Sequence, residues 1–153
     1  MATLREWFTE ELKGAMKGGD KPRVATIRLI QAALKDRDIE ARGAGKEPLS
    51  DDDILGVLQK MLKQRQESIA IYDKNDRPEL AAGEREEVAV IESFLPQQLG
   101  EAEIKAAIET AVAATGAASM KDMGKVIAAL RADYAGRMDF AKASGLVKAR
   151  LAG

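Results

Sequence analysis

No cysteine and no histidine occur in the 153 residues of this chain. Without cysteine there is no disulfide, no thiol nucleophile and no thiolate metal site. Without histidine the usual general base near neutral pH is missing, as are the commonest zinc ligand and every Ser-His or Cys-His pair. Enzyme chemistry built on those groups is excluded, and neither a catalytic residue nor a metal or cofactor is expected. Aromatic residues make up only 4% and prolines number four. Ala, Leu, Glu, Lys and Arg dominate, a composition that favours helix. No apolar run approaches the roughly 18 residues of a membrane span. The stretch MATLREWFTEEL is charged from Arg5 onward and lacks the apolar centre of a signal peptide. The expectation is a cytoplasmic protein with no membrane partner.

Charge is nearly balanced overall, with 24 basic and 25 acidic residues, but it is unevenly placed. Residues 1–46 hold ten basic and seven acidic groups, net +3, and residues 47–99 hold six and twelve, net −6. From Ser119 onward Lys121, Lys125, Arg131, Arg137, Lys142, Lys148 and Arg150 face only Asp122, Asp133 and Asp139, net +4. A stretch of that sign gains most from a polyanionic partner.

Caps and apolar spacing predict seven helices and an all-α fold. Thr3 opens the first, with Leu4, Trp7, Phe8, Leu12, Ala15 and Met16 as its core stripe, and Gly18-Gly19 ends it. Asp20 caps the second, with Pro22 in its first turn and Val24, Ile27, Ile30, Leu34 and Ile39 facing inward. After a loop from Gly43 to Leu49, Ser50 and Asp53 form a capping box for a long third helix through Ile54, Leu55, Leu58, Met61, Leu62, Arg65, Ile69 and Tyr72. Lys74-Asn75-Asp76 breaks it. The fourth runs from about Pro78 to Leu95 with Leu80, Val88, Ile91 and Leu95 buried, and Pro96 stops it. The stretch Pro96-Gln97-Gln98-Leu99-Gly100 is the domain boundary. It separates an N-terminal four-helix subdomain, residues 1–96, from a C-terminal three-helix subdomain, residues 97–153. Helix five follows Ile104, Ala107, Ile108, Ala111 and Val112 to Gly116. Ser119 with Asp122 boxes helix six, buried through Met123, Val126, Ile127 and Leu130. Asp139 caps helix seven, buried through Phe140, Ala143, Val147 and Leu151.

Several constellations invite chemistry and fail on spacing. Asp51-Asp52-Asp53 lacks the alternation of a calcium loop, and Leu62 stands where its twelfth-position Glu belongs. Those acids suit the positive end of helix three instead. Glu84, Glu86, Glu87 and Glu92 could pair for metal or acid–base work, but no E-x-x-H motif accompanies them. A solvated face, or pairing with Lys60, Lys63 or Arg65 of helix three, is the expected use. Gly43-Ala44-Gly45-Lys46 lacks the frame of a phosphate-binding loop.

On helix six, a 100° step sets Lys121 and Lys125 opposite the core stripe, and Gly124 leaves a gap beside Lys125 through which a phosphate backbone could approach. Helix seven turns Lys142 away from its core, while Lys148 and Arg150 flank it. On residue types alone, solubility and phosphate contact both remain open readings of these lysines. Few aromatics are available to stack on bases, so any nucleic-acid contact falls on backbone and shape.

The order and spacing of several short segments resemble the YqeY-like family. They are Ala15-Met16-Lys17 with Asp20-Lys21, Arg28-Leu29-Ile30 with Ala32-Ala33-Leu34-Lys35, Lys63-Gln64-Arg65 with Ser68-Ile69, and Phe94-Leu95-Pro96-Gln97-Gln98-Leu99. Met120-Lys121-Asp122-Met123-Gly124-Lys125-Val126 and Leu146-Val147-Lys148 complete the set. The resemblance covers essentially the whole chain. Members are small proteins related to the tail domain of GatB, the tRNA-binding subunit of glutamine-dependent aminoacyl-tRNA amidotransferase. It implies an all-α protein whose C-terminal subdomain is GatB tail-like and binds tRNA. Lys121, Gly124, Lys125 and Lys148 carry over as RNA contacts; Arg137, Lys142 and Arg150 join them on charge and position. The sequence departs from the family after the capping Asp139, where Phe140 and Ala141 replace a small residue and a basic one.

The function expected is a non-catalytic tRNA-binding accessory protein, with an aminoacyl-tRNA synthetase or amidotransferase as a candidate partner. One alternative is a component of tRNA-dependent amidation, a carbon–nitrogen ligase activity with glutamine as amide donor, which follows from the family relationship alone. A second is a protein-interaction adaptor that presents acidic helices three and four to a basic partner.

Overall fold

The computed structural model describes residues 3–153. Within them the fold is all-helical: α1 (Leu4–Lys17), α2 (Lys21–Gly43), α3 (Asp51–Lys74), α4 (Pro78–Glu92), α5 (Glu101–Thr115), α6 (Met123–Tyr134) and α7 (Phe140–Ala152). A single 3-10 turn, Met120–Asp122, leads into α6. Among the described residues no helix is long and apolar enough to cross a membrane. The chain divides into two compact units, one ending at Leu95 and one spanning Pro96–Gly153.

The N-terminal unit starts its helices where local chemistry supplies acceptors for the orphan N–H groups. Thr3 Oγ1 accepts from Glu6 N at 3.2 Å, and Asp20 Oδ1 accepts from Arg23 N at 3.2 Å. At α3 the box is reciprocal: Ser50 Oγ accepts from Asp53 N, and Asp53 Oδ2 from Ser50 N, both at 3.1 Å. Between α3 and α4 the chain turns through Asp76 at φ 54°, the one left-handed non-glycine among the described residues. Aspartate tolerates that conformation better than most side chains. α4 ends at Glu92 rather than Leu95, because Ser93 takes the C-cap and turns its hydroxyl back to Val90 O at 2.6 Å.

Ending α4 early places Phe94 in the core instead of on a helix face. Its ring meets Trp7 and Phe8 edge-on, each at 4.9 Å between centroids, and the Arg23 guanidinium lies 5.2 Å from its centre. Around this cluster pack Ile27, Ile30 and Leu34 of α2, Ile54, Leu58, Met61 and Leu62 of α3, and Val90 and Ile91 of α4. Four residues assigned to the core stripes are instead exposed: Trp7, Met16, Ile39 and Leu80. Trp7 stands at the rim, one edge on Phe94 and its Nε1 donating to Glu11 at 3.2 Å. Met16 lies in the last turn of α1, one residue past buried Ala15, and Ile39 in the last turns of α2, beyond buried Leu34. At the start of α4 the core position belongs to Ala81, which is fully buried, and that turns Leu80 outward.

Among the described residues, ion pairs tie these helices together, and one of them joins Arg23 of α2 to Glu11 of α1 at 3.0 Å. Arg65 Nε reaches Glu87 at 2.8 Å and Arg85 reaches Asp73 at 2.6 Å, both joining α3 to α4. Arg5 grips Asp38 with two nitrogens at 2.8 and 2.9 Å, and also donates to Leu49 O at 3.2 Å. Asp38 Oδ1 in turn accepts from Leu49 N at 3.0 Å, so one carboxylate fixes α1, α2 and the end of the loop before α3. The Arg5 hydrogen bonds, then the Leu49 N–H, hold the Asp38 carboxyl below the usual carboxylate range.

In the C-terminal unit Ile104, Ala107, Ile108, Ala111 and Val112 of α5 meet Val126 and Leu130 of α6 and Ala143, Val147 and Leu151 of α7. The small alanines let the helices approach closely. Met138, in the turn before α7, is fully buried at the same core. Gly116 closes α5 at φ 68°, as a left-handed C-terminal residue should.

Phe94→Ala removes the ring on which two others rest and should cost about 3–5 kcal/mol. Trp7, the sole tryptophan, reports the loss as an earlier midpoint in fluorescence-monitored denaturation. Asp38→Asn should destabilise by on the order of 1 kcal/mol at neutral pH, since both partners are partly solvated. Because the folded pKa is depressed, the wild-type advantage is complete above the unfolded carboxylate value of about 4. It should shrink as pH falls below that value toward the folded one, and thermal melts of both proteins between neutral and acidic pH measure the closing gap.

Candidate nucleic-acid interface

The basic stretch is built on the 3-10 turn, α6 and α7. The Asp122 carboxylate accepts from Ala118 N at 2.9 Å and Ser119 N at 3.2 Å, while its own N–H donates to Ser119 O at 2.9 Å. The chain therefore enters α6 through a tight turn instead of starting the helix at Met120. Those two backbone N–H groups, and then nearby Lys125, hold the Asp122 carboxyl below its ordinary pKa. The turn exposes Met120 and Lys121. α7 packs against both the turn and α6, so the helix carrying Lys148 is a neighbour of the segment carrying Lys121. Its start is fixed by Asp139 Oδ1, which accepts from Ala141 N at 3.0 Å and Lys142 N at 3.2 Å.

The seven predicted positions fall into two groups. Lys121 and Lys148 are exposed and form no ion pair with any described residue. Lys125 is exposed too, with only a loose contact to Asp122 at 3.7 Å. Gly124 beside it is open, with nothing beyond its chain neighbours and its own helix backbone within 4 Å of where a Cβ would stand. The others are engaged within the unit. Lys142 reaches Glu101 at 3.5 Å and Arg150 reaches Glu109, both acids on α5. Glu109 raises the Arg150 pKa above its ordinary value.

Arg137 is the most committed. It is half-buried, its Nε donates to Gln97 O at 3.2 Å and its carbonyl accepts from Leu99 N at 2.8 Å. Gln98 Nε2 donates to Gly136 O at 2.6 Å alongside. These bonds clamp the segment Gln97–Leu99 to the turn between α6 and α7. Arg137 thus also helps tie the start of the unit to the turn between α6 and α7.

Sequence reasoning missed a pairing that involves Arg131. Its guanidinium lies 4.8 Å from the centre of the Phe140 ring, joining the face of α6 to the first residue of α7. Cation–aromatic stacking of this kind is worth about 0.5–1 kcal/mol at an exposed site. Phe140 is half-buried against the core and supplies that platform. The pair is nine positions apart across a turn, and no periodicity signals it. Among the described residues no group of three or more His, Cys, Asp or Glu is placed to hold a metal ion.

Comparison with known proteins places this geometry in a family. Residues 5–151 match the family described as YqeY-like protein. Among curated relatives, the protein named "Altered inheritance of mitochondria protein 41, mitochondrial" of Vanderwaltozyma polyspora is 31% identical over 86 residues, 56% of this chain and 45% of that protein. Its namesake from Lachancea thermotolerans is 33% identical over 101 residues, 65% of this chain and 52% of that one. An uncharacterized protein of Schizosaccharomyces pombe is 28% identical over 95 residues, 61% of this chain and 73% of that protein. The chain spans about half the length of the first two. Their names assign those fungal proteins to mitochondria and lend the expected cytoplasmic placement no support. Since the match extends from the first turn of α1 to the last turn of α7, the chain belongs to the YqeY-like family.

Proposed function

We propose that this chain is a non-catalytic tRNA-binding accessory protein that contacts the phosphate backbone through its C-terminal unit. The observation that carries the reading is the division among its cations. Lys121 and Lys148 stay exposed with no ion pair among the described residues, and Lys125 has only Asp122 at 3.7 Å. Arg150 and Arg137 are occupied by groups of the same unit, and exposed Lys142 meets Glu101 at 3.5 Å. Lysines serving solubility alone need no such division. Lysines meant for phosphate do best without a strong internal partner, since each pair broken on binding subtracts from the gain. The open backbone at Gly124 adds a place for close approach.

On this reading the protein works in a tRNA-bearing compartment, the cytoplasm, beside an aminoacyl-tRNA synthetase or amidotransferase. Participation in glutamine-dependent amide transfer rests on the family relationship. With no His or Cys in the chain, the amide-transfer chemistry would belong to that partner.

Binding of tRNA should weaken linearly in a log–log plot against salt. Each neutralised phosphate contributes a slope of about −0.7 to −0.9. Lys121→Ala with Lys125→Ala should flatten the slope by about 1.4–1.8. Lys142→Ala with Arg150→Ala should change it little. Equal slopes for wild type and the first double variant would remove these lysines from the interface.

A further inference from the structure

The N-terminal unit carries a surface feature of opposite sign to the basic helices, and the tRNA reading leaves it unused. A groove of about 380 Å³ runs between the first turns of α2, the end of α3 and the N-terminal half of α4. Pro22, Tyr72 and Leu80 give it apolar walls, and Leu80 is 46% exposed, which is unusual for a leucine in a helix that has a buried face available. Glu79, Glu84 and Glu86 line the same groove, and none of them forms an ion pair with a described residue. Glu87 also lines it but is already held by Arg65.

No lysine or arginine is among the residues that line it. Two basic side chains of the same helices are used elsewhere, Arg85 on Asp73 at 2.6 Å and Arg23 on Glu11 at 3.0 Å. Lys21, next to Pro22, and Arg77, two residues before Glu79, are not among the residues that line the groove. Gly83, in the interior of α4, faces open space here, with nothing within 4 Å of a Cβ position. Glycine there costs the helix about 1 kcal/mol relative to alanine, and no internal packing asks for it.

We propose that this groove docks a basic amphipathic helix of a protein partner. Its apolar residues would lie against Leu80 and Tyr72 and over Gly83, and its lysines or arginines against Glu79, Glu84 and Glu86. Helices commonly lie in grooves of this kind by inserting a stripe of apolar anchors, while rim charges select the partner and speed encounter. A nucleic acid is the wrong occupant, because phosphates would meet three unpaired glutamates. The proposal stands apart from tRNA binding, using different helices and charge of the opposite sign.

The test uses the full chain labelled with 15N and two synthetic helix-forming peptides of equal positive charge. One carries leucines at i, i+3, i+4 and i+7 opposite its lysines; in the other those leucines are glutamines. The Leu-Lys peptide should shift amides of residues 22–26, 72 and 79–87. Replacing Glu79, Glu84 and Glu86 by Gln should weaken its binding about tenfold, three rim charges at a few tenths to one kcal/mol each. Gly83→Leu should fill the floor and weaken binding at least as much, while circular dichroism shows the helix content intact.

Four results would overturn the proposal. The shifts could fall on other residues, both variants could bind the peptide as wild type does, or the leucine-free peptide could bind equally well. Sedimentation showing a dimer that Gly83→Leu disperses would assign the groove to a second copy and equally overturn it.

Discussion

A unit of three short helices can bury only a narrow stripe from each, and that limit sets where every charge of the C-terminal unit must go. Ala107, Ala111, Val126, Ala143 and Val147 fill the shared interior, so the lysines and arginines have only the outside available. What differs among them is whether an acid lies within reach. α5 presents Glu101 and Glu109 toward α7, and these take Lys142 and Arg150. The 3-10 turn and α6 offer Asp122, whose carboxylate accepts from Ala118 and Ser119 with Lys125 3.7 Å away, and exposed Asp133, which forms no ion pair with a described residue. The exposed cations there follow from helix geometry and from which acids lie within reach.

The N-terminal unit answers a different constraint. Its core is organised around Phe94, which lies just past the end of α4 and brings Trp7 and Phe8 edge-on to one ring. The pairs Arg5–Asp38, Arg65–Glu87 and Arg85–Asp73 then fix the helices that surround it. Once those pairs are made, Glu79, Glu84 and Glu86 remain without partners beside exposed Leu80. The two units therefore carry surface groups of opposite charge, exposed lysines on one and glutamates without ion pairs on the other.

Much of this was legible in the sequence because it is local. Capping residues Thr3, Asp20, Ser50 and Asp139 and stop residues such as Gly116 act within a turn of themselves, and each does what its chemistry dictates. The apolar stripes were legible wherever a helix has a partner along its whole length. They failed at ends and rims. Met16 and Ile39 keep the right spacing but outrun the buried face, and Ala81 displaces Leu80 because position in the bundle outranks hydrophobicity. The candidate site was legible only in composition. Spacing placed Lys121 and Lys125 outside, but which cations are free depends on contacts across the unit. Arg137 with Gln97, Arg150 with Glu109 and Arg131 with Phe140 join residues 40, 41 and 9 positions apart, and no periodicity encodes them.

The most direct test is a 15N-resolved titration of the intact chain with tRNA at low salt. The account predicts amide shifts concentrated at Met120–Val126 and around Lys148, with α5 near Glu101 and Glu109 little changed and the groove of α4 silent. Shifts confined to the N-terminal unit, or none at concentrations where tRNA visibly binds, would contradict it.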